Sequence, residues 1–262
     1  KECHQEVFIL CRKGTFKLKH NTSSTEKLSR AYGYPYPAPD HDFLFHEEAV
    51  SPLDGAFDLG GRQPVIAVGS NRAPEQLARK FGAERDRTIP VTWAWMHGYD
   101  VVYCAHLAGY GSVPATLHGS PGTEVRVAVT WLTEAQLERM HETENVGASY
   151  VYGTFDPDAI ELGDGRPAAR AGCYITKCGA LALDGVPVAL AEIEARNRRF
   201  KSLPQAAKLA LLHGMFGDHP EEAAWVLSLL GEENGPRRAF LTERLSETTV
   251  PFDDPRFSVE LG

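Results

Sequence analysis

One stretch restricts this chain's fold more than any other: Val65-Ile66-Ala67-Val68-Gly69-Ser70-Asn71, followed by Arg72-Ala73-Pro74-Glu75-Gln76-Leu77-Ala78-Arg79-Lys80-Phe81. Four successive apolar residues ending in Gly-Ser-Asn read as a buried strand that stops at a tight turn. Asn71 stands as the N-cap of a following helix, Pro74 falls in its first turn, and Leu77 and Phe81, four apart, share one face. Glycine lets the chain bend sharply and lets a ligand come close to the backbone. Such a turn can aim several N–H groups at one point, a concavity that suits a small anion such as a carboxylate. An ordinary strand-to-helix connection fits the same residues.

The 262 residues suffice for one large domain, or a domain with an appendage. With 43% hydrophobic and 24% charged residues, the chain can bury a core like an ordinary globular protein. A net charge of −8 with no long basic tract argues against nucleic acid or an anionic membrane as the main partner. No apolar run approaches the ~20 residues of a membrane span. Near the start, only Val7–Leu10 is apolar, short of the ~7–15 residues of a signal-peptide core. The cysteines are Cys3, Cys11, Cys104, Cys173 and Cys178, an odd number with no Cys-x-x-Cys pair. Free thiols in a reducing, cytoplasmic setting are expected, and no metal or cofactor is called for.

Composition divides the chain into four. Residues 1–28 carry six Lys/Arg against three acidic residues and are expected to be a mobile leader. Residues 29–63 read as an extended arm, because each proline of Tyr34-Pro35-Tyr36-Pro37-Ala38-Pro39 biases its predecessor away from helix. Within it, Asp40, His41, Asp42, His46, Glu47 and Glu48 match no metal-ligand spacing and read as a solvated loop. Residues 64–186 hold further strand patterns: Val91–Trp95 and Tyr99–Leu107 with a break at His97-Gly98, Ala115–Leu117, Glu124–Leu132, Ser149–Phe155, and one within Ala171–Leu183. Gly109–Val113 lacks the Gly-Lys-Ser/Thr ending of a phosphate loop and reads as a flexible loop at a site mouth. Thr133 and Gln136 form a capping-box pair opening a helix that buries Leu137 and Met140. Residues 187–262 show helical spacing at Leu190–Phe200, Ala206–Phe216, Glu221–Leu230 and Arg237–Ser246, and are expected to pack on the core as a helical extension. Strands followed by helices define an α+β fold with a mixed or antiparallel sheet.

Several of these stretches, taken in order, resemble the gamma-glutamylcyclotransferase-like family. Val68-Gly69-Ser70-Asn71 is similar to its Tyr-Gly-Ser-Asn turn. Val113–Leu117, Ser120–Val125 and the β-run to Trp131 are similar to its middle segment. Leu137–Asn145 is similar to its Leu-Asp-x-x-Glu-Gly signature, with Glu144 in the place of the catalytic Glu; Tyr150 matches a Tyr that often follows. The resemblance spans residues 64–155. Val68 stands for Tyr, His141 for Asp and Asn145 for Gly. The flanking segments exceed the compact family domain.

The resemblance implies a small barrel-like α+β domain with a cavity between turn and Glu, a small-molecule γ-glutamyl substrate, and no cofactor. It implies that Glu144 is the general acid and base, and that Val68, Gly69, Ser70, Asn71 and Tyr150 contact the substrate. In that chemistry the α-amine of a γ-glutamyl unit attacks its own γ-carbonyl, giving 5-oxoproline and a free amine. Two other readings use the same residues: a binding module of this fold without turnover, and an amide hydrolase or acyl-transfer enzyme with the same Glu. Glu142 is the alternative carboxylate. His141 reads as packing, His213 and His219 as surface, and Ser70 lacks a nucleophile elbow.

Overall fold

A computed structural model describes residues 23–163 and 170–262. The leader expected over 1–28 lies mostly outside the described residues, as do Cys3 and Cys11. In chain order the elements begin with α1 (Ser24–Tyr32), β1 (Phe43–His46), β2 (Ala49–Pro52), β3 (Gln63–Ala67), α2 (Pro74–Phe81), β4 (Thr88–Tyr103), β5 (Ala115–Leu132) and α3 (Glu134–Glu144). They continue with β6 (Tyr150–Phe155), β7 (Ile160–Leu162), β8 (Ala171–Thr176), β9 (Ala180–Leu183), β10 (Val186–Pro187), β11 (Ala189–Leu190), β12 (Ala195–Arg196) and β13 (Ser202–Leu203). α4 (Gln205–Phe216), α5 (Glu222–Leu227), α6 (Gly235–Ser246), β14 (Thr249–Val250) and β15 (Phe257–Leu261) complete it. The class is α+β.

One mixed sheet of 12 strands dominates, with the path β13-β11-β4-β5-β3-β8-β6-β15. The path is open, so the barrel-like sheet implied by the resemblance takes the form of a large sheet that does not close. β4 and β5 are its spine. Their antiparallel register runs from Val91↔Thr130 to Tyr103↔Ala115 and shifts between His97 and Tyr99. The predicted break at His97-Gly98 is thus a bulge inside one 16-residue strand. β3 lies between β5, antiparallel, and β8, parallel.

Alternation along β3 explains why its sequence is apolar on both faces. Val65 and Ala67 enter a cluster with Phe43, Phe45, Leu77, Phe81, Leu137 and Met140. Ile66 and Val68 enter a larger one that includes Tyr103, Leu209, Trp225, Leu241 and Leu245. A strand covered on both faces carries no polar alternation. The C-terminal helices therefore pack on the core.

The arm and the extension differ from expectation in detail. Residues 24–28, placed in the leader, form the first turns of α1, whose Ser23–Glu26 capping box is complete. Half of the expected solvated loop is the β1–β2 hairpin, which extends the sheet along β4 from Phe43↔Val91 to His46↔Thr88. Its entry is pinned by Trp93: the indole N–H donates to the carbonyls of Pro39 at 3.1 Å and His41 at 3.2 Å, and the backbone N–H donates to Asp42 at 2.8 Å. The helix expected over Leu190–Phe200 is absent; β11, β12 and β13 occupy this region, with Ala189 paired to Val102 and Ala195 to Val125. Strand partners outweigh the helical spacing there.

Candidate functional site

A cavity of about 280 Å³ opens where β3 ends. Val68, Gly69, Ser70 and Asn71 form one wall; Glu144 and Tyr150 line it from α3 and β6, with Lys80, His106 and Tyr34 between them. The six residues singled out from the sequence therefore share one cavity.

Gly69 is required there by contact rather than by φ, which is −116°. A Cβ at this position would collide with the Tyr34 hydroxyl oxygen. That oxygen is held in place by the Ala115 N–H, which donates to it at 2.8 Å. The turn is thus clamped by the arm. Ser70–Arg72 form a 3₁₀ turn, and the residue capping α2 is Ala73, with Pro74 following. Asn71 is therefore not the N-cap, because the extra turn carries its side chain away from the helix start. Its amide instead donates to Glu144 Oε1 at 2.8 Å.

Glu144 is the last residue of α3, a helix opened by the predicted Thr133–Gln136 capping box. Asn145 closes it in the left-handed region at φ 54°. Gly and Asn are the residues that adopt this conformation most easily, which explains why Asn can stand where the family pattern has Gly. The Lys80 ammonium pairs with Glu144 Oε1, and both side chains are largely withdrawn from water, at 7% and 14% exposure. Lys80 Nζ also lies 3.4 Å from Met140 Sδ. Oε1 is thus held by two donors, while Oε2 receives no hydrogen bond from any described residue. A carboxylate with one oxygen anchored and the other free is oriented for proton exchange with a molecule in the cavity.

The remaining lining mixes apolar and uncharged polar residues. Burial pushes the His106 imidazole down to about 4, so the ring is neutral near pH 7. Its Nδ1 is buried with no hydrogen-bond partner among the described residues, and its ring meets Tyr150 edge-on at 5.9 Å. Burial raises the Tyr150 hydroxyl well above the usual phenol range; the buried Cys104 thiol lies 3.9 Å away and is raised likewise. Cys104, Cys173 and Cys178 are all free.

The alternatives fall elsewhere. Glu142 points out to Arg139 at 2.9 Å. His141 Nδ1 meets the Tyr174 hydroxyl at 2.9 Å and packs against Tyr152, in keeping with a packing role. His213 Nε2 is tied to the His219 carbonyl at 2.8 Å. Tyr110, from the loop expected at the site mouth, does line the cavity. The family motifs do not point to Lys80, yet it sits three residues after Leu77 on the buried face of α2, where a lysine needs a partner. Tyr34 and His106 carry no comparable signal. Among the described residues no group of three or more His, Cys, Asp or Glu is placed to hold a metal ion. No helix among them is long and apolar enough to cross a membrane.

No family model and no curated protein matches this sequence. Solved structures similar to it include a gamma-glutamyl cyclotransferase at 15% identity and TM-score 0.38, covering 74% of this chain and 91% of that one. An uncharacterised Homo sapiens protein matches at 14% identity and TM-score 0.37, covering 68% and 99%. An Arabidopsis thaliana protein solved in solution matches at 21% and 0.34, covering 46% and 72%. Superpositions this loose carry no argument about activity; the side chains around the cavity do.

Proposed function

We propose that this protein is a gamma-glutamylcyclotransferase-like enzyme that converts a γ-glutamyl amine or peptide to 5-oxoproline and a free amine. The observation that carries this reading is Glu144 in the cavity lining, with Oε1 held by Asn71 and Lys80 and Oε2 hydrogen-bonded to no described residue. The substrate α-carboxylate sits against the backbone of Gly69, Ser70 and Asn71. Glu144 Oε2 takes a proton from the α-ammonium, and the freed amine attacks the γ-carbonyl carbon. The new C–N bond closes a five-membered ring. The bond to the departing amine then breaks as Glu144 returns that proton to its nitrogen, and the second proton shed by the ring nitrogen passes through the same carboxylate to the amine, which leaves as an ammonium. Folding the substrate back on itself supplies much of the rate, since well-oriented intramolecular pairs reach effective molarities of ~10⁵–10⁸ M. The proton relay adds about 10²–10⁴-fold. Tyr150 and neutral His106 line the γ-glutamyl chain. Lys80 is a positioning residue that acts through Glu144. No step calls for a metal or cofactor.

A second reading has its own support. Lys80 already neutralises Glu144, as in a module that binds a small polar ligand without turning it over. Product analysis by mass spectrometry on a panel of γ-glutamyl amines and dipeptides separates the two. The parent releases 5-oxoproline and Glu144→Gln releases at least a hundredfold less. Release of glutamate instead would mark an amide hydrolase. A folded parent that is stabilised by panel members but releases nothing would mark the binding module.

A further inference from the structure

A second, larger hollow adjoins the cavity. Its volume is about 1210 Å³, and Gly109 and Tyr110 line both spaces. Its charged lining is Glu26, Lys27 and Arg30 from α1, Glu75 and Arg79 from α2, and Glu233, with Tyr36 and Leu230 beside them. Two of these segments, α1 and the stretch after α5 that holds Leu230, lie outside the residues that carry the family resemblance.

Three observations mark it as built for a ligand continuous with the one in the cavity. First, Arg30 has no ion-pair partner among the described residues, and its Nε is buried without a hydrogen bond. Its guanidinium lies 4.7 Å from the Tyr110 ring centre, at the boundary between the two spaces. Arg79 at the side is, by contrast, paired with Glu75. Second, Tyr36 is held in the left-handed region at φ 69°, an unfavourable conformation for a bulky residue. This places its ring 6.0 Å from Tyr34 and 6.5 Å from Tyr110, so Tyr34 on the cavity side, Tyr36 on the groove side and Tyr110 in both meet at the junction of the two spaces. Third, the groove, at about 1210 Å³, exceeds the ~300–1,000 Å³ usual for a small-molecule site, whereas the cavity, at about 280 Å³, falls just below that range.

We infer that this groove is the subsite for the departing amine, and that it takes a peptide-length amine with an acidic group opposite Arg30. The inference rests on the cyclotransferase reading and adds the identity of the second half of the substrate. A planar guanidinium without a carboxylate partner is suited to binding one in bidentate fashion. The Tyr110 face beside it offers a stacking surface, and Leu230 an apolar one.

The experiment compares three compounds with the same γ-glutamyl head: the ethylamide, the glycine dipeptide, and a γ-glutamyl tripeptide ending in aspartate. 5-Oxoproline release gives kcat and KM, and calorimetry gives binding. The full chain is tested beside Arg30→Gln and Ser29→Trp; the second fills the groove from an exposed position on α1. In the parent, kcat/KM for the acidic tripeptide exceeds that for the ethylamide by tenfold or more, mainly through KM. Arg30→Gln and Ser29→Trp each lower that ratio at least tenfold. Equal values for all three compounds in the parent, or a ratio untouched by both variants, would overturn the inference and leave the cyclotransferase reading standing. If no compound is turned over, that reading falls, and calorimetry decides the groove. Tighter binding of the tripeptide than of the ethylamide, lost in Ser29→Trp, keeps it as a peptide site; equal or no binding removes it.

Discussion

Among the described residues two lysines, Lys80 and Lys208, are buried in opposite surroundings. Lys80 faces a carboxylate, so substituting it leaves Glu144 in a poorly hydrated site without its counter-charge. Loss of one member of such a pair costs about 3–5 kcal/mol when burial is complete. With Glu144 14% exposed beside a cavity, Lys80→Met is expected to lower urea stability by about 2–3 kcal/mol. The double change Lys80→Met with Glu144→Leu recovers most of that loss, and Lys80→Arg retains part of the turnover. No recovery in the double variant would show that the pair is not the source of the effect. Lys208 is fully buried, its ammonium has no hydrogen-bond partner among the described residues, and it lies 5.2 Å from the Tyr103 ring centre. Burial pushes its pKa from 10.5 down to about 8. The unfolded chain therefore binds more protons between those values, and stability rises with pH across the window. Lys208→Met removes the penalty. It is expected to be more stable than the parent by about 1–3 kcal/mol at pH 7, with the gap closing from pH 8 to 10.5. A gap that is constant through alkaline denaturation curves would contradict this.

Capping chemistry makes α3 legible in the amino-acid sequence, whereas α2 and the segment after Pro187 are only partly so. Thr133 and Gln136 can bind each other in this way only at a helix start, and they do, at 3.3 and 3.0 Å. Asn71 carries an equally good cap side chain, but a 3₁₀ turn intervenes and a carboxylate 73 residues away takes its amide. Residues 189–203 mimic a helix because Leu190 and Ile193 stand three apart, as on a helix face, while both are buried by the sheet and its neighbours. Their backbone completes the exposed edge of β4, a demand set by tertiary structure. At the other end of α3, Asn145 holds the left-handed conformation that ends the helix beside Glu144. Asn145→Gly is expected to change stability by only a few tenths of a kcal/mol, and Asn145→Val to cost more than about 1 kcal/mol. Chemical denaturation with both variants tests this; equal losses would mean that the side chain's bond to Ser149, at 3.1 Å, matters more than the backbone.

The site belongs to the whole molecule. Tyr34, the turn after β3, Lys80, His106, Glu144 and Tyr150 come from separate segments, and Tyr34 and His106 leave no trace in local sequence pattern. The turn and the α3 terminus are legible because each is a compact motif. The clamp on Gly69 is not, since it joins residues far apart in the chain. The same holds for the C-terminal region, whose local spacing suggests a helical extension packed on a separate domain. Ala189 pairs with Val102, and Trp225 is fully buried in the larger cluster. A chain ending at Pro187 is therefore expected to lose the cooperative urea transition of the full protein. A sharp transition in that fragment would show that residues 64–186 fold independently.

β4 carries one more consequence. Its outer edge is covered in three instalments, by β1 before it in the chain and by β7 and β11 after it. During synthesis β4 and β5 leave the ribosome while nothing yet covers the stretch around Val102. That stretch, Tyr99–Tyr103, is apolar and rich in strand formers except for Asp100, whose partner Arg198 is also still to come. Until the chain has been extended through β11, the nascent protein exposes an unpaired strand edge of the kind that recruits other chains. Yield of soluble material should thus depend on how fast the second half is translated and on holdase chaperones, and much less on the stability of the finished molecule.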